Sequence, residues 1–142
     1  MSNHPPIITK GNRHEDQRGI LNFNNDFDAS QIKRIYTLEN ASVDFIRGWQ
    51  GHKIEQRWFA CVQGKFEIRV IRVDDFENPS KDLTQNKYEL TTDGLDFLHV
   101  PGGCITAIQA LEENAKLLVL ADYHLGEIND EYRFDINYFK NV

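Results

Sequence analysis

This chain has no long apolar run. Its longest, residues 117–121 (LLVLA), is the size of a strand, whereas a helix that crosses a bilayer needs about 20 such residues. The first residues, MSNHPPIITKGN, also lack a basic stretch followed by an apolar run, the pattern of a secretory signal. Basic residues are outnumbered: 16 Lys and Arg against 22 Asp and Glu give a net charge of -6 and a pI of about 5.3. A nucleic-acid backbone as the main partner calls for a basic face, so that class is set aside, while a local Arg cluster still suits a small anion. Cysteine is nearly absent. Cys61 and Cys104 both fall in segments that read as strands, where two cysteines of an intracellular chain are reduced core residues more often than a disulfide. A cytoplasmic protein is therefore expected. Internal repeats, heptads, helical periodicity and an alternation of strands with helices are missing as well.

What is present is material for one core. With 142 residues, 40% of them apolar and 11% aromatic, a single domain over residues 1–142 is expected. Residues 1–15, with Pro5-Pro6, read as an extended arm; Asp16-Gln17-Arg18-Gly19 reads as a turn, followed by a short strand at 20–23. Residues 32–38 (IKRIYTL) alternate β-branched and aromatic residues with charged ones, a strand signal. Gln63-Gly64-Lys65 reads as a hairpin turn between strands at 58–62 and 66–70, the second placing Phe66, Ile68 and Val70 on one face. Residues 74–87 form the longest loop, residues 88–90 a brief strand, and Pro101-Gly102-Gly103 a reversal after a strand at 95–100. Strands at 104–111 and 115–121 read as a second hairpin, and residues 136–140 as a short C-terminal helix. Many short strands with turn signals about every ten residues predict an all-β sandwich or barrel.

Against this background residues 46–64, IRGWQGHKIEQRWFACVQG, stand apart. Arg47, Gln50, His52, Lys53, Gln56 and Arg57 crowd beside an apolar strand, so they are either a solvated turn or the wall of a polar pocket. Trp49 and Trp58 read as packing anchors.

Two features resemble the cupins, small β-barrels of the jelly-roll kind. Their first motif is similar to G-x5-H-x-H-x3/4-E-x6-G, matched here by Gln50-Gly51-His52, Arg57 and Gly64; their second, P-x-G-x2-H, is matched by the run from Pro101 to Thr106. Metal-binding cupins use those positions as ligands, and this chain carries Gln50, His52, Arg57 and Thr106 there. One imidazole is too few for a transition metal, and a guanidinium repels a cation. The expectation is a cupin that needs no metal and no cofactor.

A narrower resemblance rests on Asp16-x-Arg18-Gly19, Lys33-Arg34-x-Tyr36, Arg47-Gly48, His52-Lys53, Glu55-Gln56 and the Gly64 turn. These resemble the WxcM-like dTDP-4-keto-6-deoxyglucose 3,4-ketoisomerases, which carry a motif similar to RGxHAHKxxxQ. Residues 98–135, with VPGGCITAIQALEENAKLLVLADY, are similar to the related dTDP-4-dehydrorhamnose 3,5-epimerases. The resemblance implies isomerisation or epimerisation of a dTDP-linked 4-keto-6-deoxyhexose by metal-free proton transfer through an enediol, in the making of deoxysugars for surface polysaccharides. It also implies a homodimer in which residues 1–23 exchange between copies.

Such chemistry needs a base near neutral pKa, a proton donor, and positive charge for the enediolate oxygen. His52 suits the base, Tyr36 the donor or a sugar contact, and Arg57 the oxyanion; Arg18, Arg34 and Arg47 suit the diphosphate. Gln50, Lys53, Gln56 and Thr106 complete the expected ligand contacts. Gln50 stands where the family carries a first histidine, and Gln exchanges no proton near neutral pH. A second reading, a sugar-nucleotide-binding cupin without catalysis, therefore stays beside the first.

Overall fold

The computed structural model describes residues 4–140. Twelve strands run in chain order: β1 (Ile7–Thr9), β2 (Asn12–Asp16), β3 (Gly19–Phe23), β4 (Arg34–Leu38), β5 (Ile46–His52), β6 (Arg57–Gln63), β7 (Phe66–Arg72), β8 (Asn86–Leu90), β9 (Phe97–Val100), β10 (Cys104–Ala110), β11 (Lys116–Ala121) and β12 (Glu131–Arg133). They build two five-stranded antiparallel sheets, ordered β1-β9-β6-β11-β4 and β12-β5-β10-β7-β8, with β2 and β3 a separate hairpin. The all-β expectation holds, and no described residue is helical.

Alternation along the strands explains the layering. Phe59 and Cys61 of β6, Phe66, Ile68 and Val70 of β7, and Leu117 and Val119 of β11 face inward and form the core between the sheets. Their neighbours Trp58, Ala60 and Leu120 face the other way, into a second cluster covered by Phe27 and Ile32 of the loop before β4. Phe27 stacks on Phe97 with ring centroids 4.1 Å apart. On the far side of the second sheet, Trp49, Ile71 and Ile105 are covered by Phe139 of the C-terminal tail. Strands buried on both faces read as continuous apolar runs, which is why residues 117–121 look unbroken.

Two connections differ from the sequence reading. The turn at Gly64, where φ is 76°, does not close a hairpin: β6 lies between β9 and β11, while β7 lies between β10 and β8. Both edges of each strand are already hydrogen-bonded, so the turn carries the chain from one sheet to the other. The connection from β10 to β11 crosses in the same way, and Leu111 N donates to Lys65 O at 2.9 Å where the two corners meet. Within the arm, residues 12–16 pair with β3 across the expected Asp16–Gly19 turn, and β1 pairs with β9. Residues 1–3 of that arm lie outside the described residues.

The short helix expected at 136–140 is not formed. Asp135 takes the place of a helical ladder: its Oδ1 accepts from Asn137 N at 2.8 Å and its backbone O from Tyr138 N at 3.0 Å. Lys140 N then donates to Lys81 O at 2.7 Å and Tyr138 Oη to Pro79 O at 2.6 Å. Five residues nucleate a helix poorly, and here aromatic packing on Trp49 fixes the tail in turns.

Candidate active site

A cavity of about 480 Å³ opens between the sheets, walled by β4, β5, β6 and β10. Local irregularity in β5 arranges its polar side. On β10, Thr106 stands opposite Gln50 while Ile108 stands opposite Arg47, so the ladder slips between them. A strand normally alternates faces, which would turn Arg47 away from Gln50. The slip is a bulge that re-aims one side chain, and Arg47, Gln50 and His52 all line the cavity. Gly51 lets β10 close in at this point, because a Cβ there would lie 2.1 Å from Cys104 O.

His52, the last residue of β5, is buried with 8% exposure. Its Nδ1 lies 3.2 Å from Asp130 Oδ1, and its Nε2 lies 2.8 Å from Arg57 Nη2 and 3.4 Å from Glu55 Oε2. Arg only donates, so Nε2 accepts and Nδ1 carries the proton, which it donates to Asp130. Burial and the adjacent Arg57 push the imidazole below its usual value of 6.5, against the pull of Glu55 and Asp130. The result is a neutral histidine whose Nε2 lone pair accepts from Arg57, with both side chains in the cavity lining. Asp130 is fixed in turn: its Oδ2 accepts from Ile54 N at 2.6 Å and Glu55 N at 3.0 Å. Burial disfavours its charge, yet these N–H groups and His52 outweigh it and hold the carboxyl below its usual value.

Arg57 is held from three sides. Its Nε donates to Glu55 Oε2 at 2.7 Å and its Nη2 also meets that oxygen, while Nη1 donates to Tyr36 Oη at 2.5 Å. Since Tyr36 accepts this bond, its own O–H is free to donate. Of the five guanidinium N–H groups, one on Nη1 also remains. Tyr36 and Arg57 both line the cavity, so two donors converge where a ligand oxygen can sit.

At the mouth stand Arg34, Arg47 and Arg133. Among the described residues Arg34 and Arg47 have no ion-pair partner, and Arg34 lies over the Tyr36 ring at 4.7 Å. Arg133 Nε donates to Glu131 Oε1 at 3.0 Å, and Gln50 Nε2 donates to Glu131 Oε2 at 2.9 Å. Thr106 lines the cavity and donates to Gln50 O at 3.4 Å.

The structure thus gathers Tyr36, Arg57, His52, Arg34, Arg47, Gln50 and Thr106 around one cavity. Three expected residues lie outside its lining. Arg18 sits on the β2–β3 turn paired with Asp16 at 2.7 Å; Lys53 is exposed; and Gln56 is tied to Asp122 at 3.0 Å and His99 at 2.6 Å, a network on the outer face where His99 stacks on Trp58. Sequence reasoning missed Asp130, Glu55 and Arg133. Glu55 adjoins the motif and carried a signal, whereas Asp130 lies 78 residues from its partner in a segment without a pattern.

The donor set does not fit the metal site of metal-binding cupins. His52 is the one imidazole in the lining, and the cationic Arg57 occupies its Nε2. Among the described residues no three His, Cys, Asp or Glu side chains converge to hold an ion. Both cysteines are free and buried; burial raises the Cys61 thiol to about 11 and also raises Cys104.

Comparison with known proteins converges on one group. The chain is similar in structure to a histidine-to-asparagine mutant of the 3,4-ketoisomerase QdtA from Thermoanaerobacterium thermosaccharolyticum in complex with TDP-4-keto-6-deoxyglucose, at 23% identity and TM-score 0.71 over 96% of this chain and 93% of that one. A 3,4-ketoisomerase from Helicobacter canadensis matches at 23% identity and TM-score 0.70 over 95% and 96%. The dTDP-4-dehydrorhamnose 3,5-epimerase of Bacillus anthracis matches at 15% identity and TM-score 0.70 over 88% and 76%. No curated protein matches the sequence. The family model described as FdtA: WxcM-like, C-terminal, matches residues 6–142, and the chain therefore belongs to that WxcM-like family.

Proposed function

We propose that this protein is a sugar-nucleotide isomerase or epimerase that moves a proton beside the ketone of a dTDP-linked 4-keto-6-deoxyhexose, through an enediol and without a metal. Membership of the WxcM-like family and the named activities of its structural relatives support the reaction class. The observation that carries the reading is His52, neutral, fixed as the Nδ1–H tautomer by Asp130 and presenting Nε2 at the cavity side. A hydrogen alpha to a ketone is weakly acidic, so its removal needs such a base together with donors for the oxygen that becomes negative. Tyr36 O–H and the remaining Arg57 Nη1–H are those donors, and Tyr36 can also return a proton. Arg34 and Arg47 at the mouth grip the diphosphate, since guanidinium binds phosphate oxygens in pairs.

The cupin-type jelly roll, a single domain over residues 1–142, a cytoplasmic location and a place in deoxysugar and surface polysaccharide synthesis belong to the same proposal. So does a homodimer. The β2–β3 hairpin stands apart from both sheets and exposes Ile20 and Leu21, as suits an arm laid on a second copy. Arg18 on that hairpin would reach a ligand only in such a pair. A second reading, binding without catalysis, is favoured by Gln50, which is anchored to Glu131 where the family carries a histidine.

Proton NMR with dTDP-4-keto-6-deoxyglucose in deuterated water separates the two, run beside a His52→Asn variant. Deuterium entering the sugar with the unmodified protein alone is expected, and the labelled carbon distinguishes ketoisomerase from epimerase. Ligand resonances that broaden while no deuterium enters would favour the binding protein.

A further inference from the structure

Glu55 has no part in the mechanism so far, although it is 8% exposed and in contact with both His52 and Arg57. His52 Nε2 lies between a donor and an acceptor: Arg57 Nη2 at 2.8 Å and Glu55 Oε2 at 3.4 Å. The two neighbours suit opposite protonation states. A neutral Nε2 accepts from Arg57 and has nothing to offer Glu55, whereas an Nε2–H cannot accept from Arg57 and can donate to Glu55. Resting on the isomerase reading above, we propose that Glu55 is a positioning residue that couples protonation of His52 to release of Arg57. As the substrate C–H breaks, its proton bonds to the Nε2 lone pair in place of the Arg57 contact, its electron pair forms the C=C bond of the enediolate, and the carbonyl π pair moves to the ketone oxygen. The new Nε2–H has Glu55 Oε2 within reach as its acceptor, and the Arg57 Nη2–H that Nε2 had accepted becomes free for the enediolate oxygen formed in the same step. No charge is created or lost on Arg57 or Glu55, and returning the proton to the sugar restores the starting contacts.

The groups facing His52 allow this exchange. Asp130 holds Nδ1–H in both states, Tyr36 keeps Arg57 anchored through Nη1, and Cys104, paired opposite His52 on the adjacent strand β10, is a thiol raised by burial that does not compete for the proton.

Nitrogen-15 NMR of the unmodified protein tests the coupling directly. The Arg57 side-chain signals are expected to shift with the same midpoint as His52 when the protein is titrated; Arg57 signals that stay fixed through that midpoint would overturn the proposal. In Glu55→Gln the His52 midpoint should fall, because the carboxylate that favours imidazolium is gone, and in Arg57→Gln it should rise. Deuterium incorporation by Glu55→Gln is expected to drop about tenfold to a hundredfold in kcat with little change in KM, and Glu55→Asp to recover part of it. Glu55→Gln with an unchanged midpoint and unchanged kcat would also sink the idea. If the unmodified protein exchanges no deuterium while Arg57 still follows His52, the isomerase reading fails and the coupling stands.

Discussion

Asp130 and His52 are separated by 78 residues of chain, yet the tautomer of the base depends on their contact. Two backbone N–H groups bind Asp130 Oδ2, so in Asp130→Asn the amide oxygen is drawn to them and the amide nitrogen turns toward His52. Nδ1 must then accept, the proton moves to Nε2, and the lone pair needed for the proposed proton transfer is lost. Asp130→Asn is expected to lower kcat by on the order of 10² to 10⁴ with a small change in KM, and nitrogen-15 shifts of His52 should report the other tautomer. Unchanged tautomer and kcat would remove Asp130 from the mechanism. The sequence displayed His52 and Arg57 because their spacing matches a known motif. Asp130 was silent, since a lone Asp in a polar segment carries no mark of the residue it will meet.

At the scale of elements, the C-terminal tail illustrates how packing overrides local tendency. Residues 136–140 have enough apolar character to suggest a helix, but Phe139 finds the edge of Trp49 at 5.5 Å and is left 2% exposed. Phe139→Ala should cost about 3–5 kcal/mol of stability, as for other large-to-small changes in a core, measured by urea unfolding. Trp49 emission should shift to longer wavelength as water reaches it. The same tail leads back from β12, which pairs with β5 through His52, Gly51 and Gln50 and so brings Glu131 and Arg133 to the cavity rim. The hairpin reading of Gly64 failed for a related reason. A Gly at a tight turn marks a reversal, but whether the next strand pairs with the last or crosses to the other sheet depends on which edges are already taken.

For the whole molecule, the acidic balance and the basic cavity mouth coexist because charge is distributed in space and not along the chain. The buried His52 and the half-buried His99 also set a pH dependence. Burial, with Arg57 for His52 and His4 for His99, lowers both below the usual 6.5. The unfolded chain then takes up protons at higher pH than the folded one. Their contribution is complete above about 6.5 and is lost as pH falls from there to the folded values. Asp130, lowered from 3.8, adds a further loss only in stronger acid. Urea unfolding at stepped pH should show stability declining below 6.5, and His52→Asn should flatten part of that decline. An unaltered slope in the variant would mean that His52 is not held neutral. Activity should fall on the acid side with a midpoint below 6.5 for the same reason.

What the sequence determined by itself is the all-β character and most of the strands, though not β1, β2, β5 or β12, the burial of both cysteines and both tryptophans, and the cluster from Arg47 to Arg57, because each depends on neighbours one to six residues apart. Alternation and turn residues are local, and so is a motif's spacing. The pairing of strands, the bulge that aims Arg47 inward, and the meetings of His52 with Asp130 and of Arg57 with Tyr36 were decided only by the tertiary structure. Those depend on which hydrogen-bonding edges and which apolar faces remain available once two sheets close on one another, a competition among distant segments that leaves no trace in any single stretch.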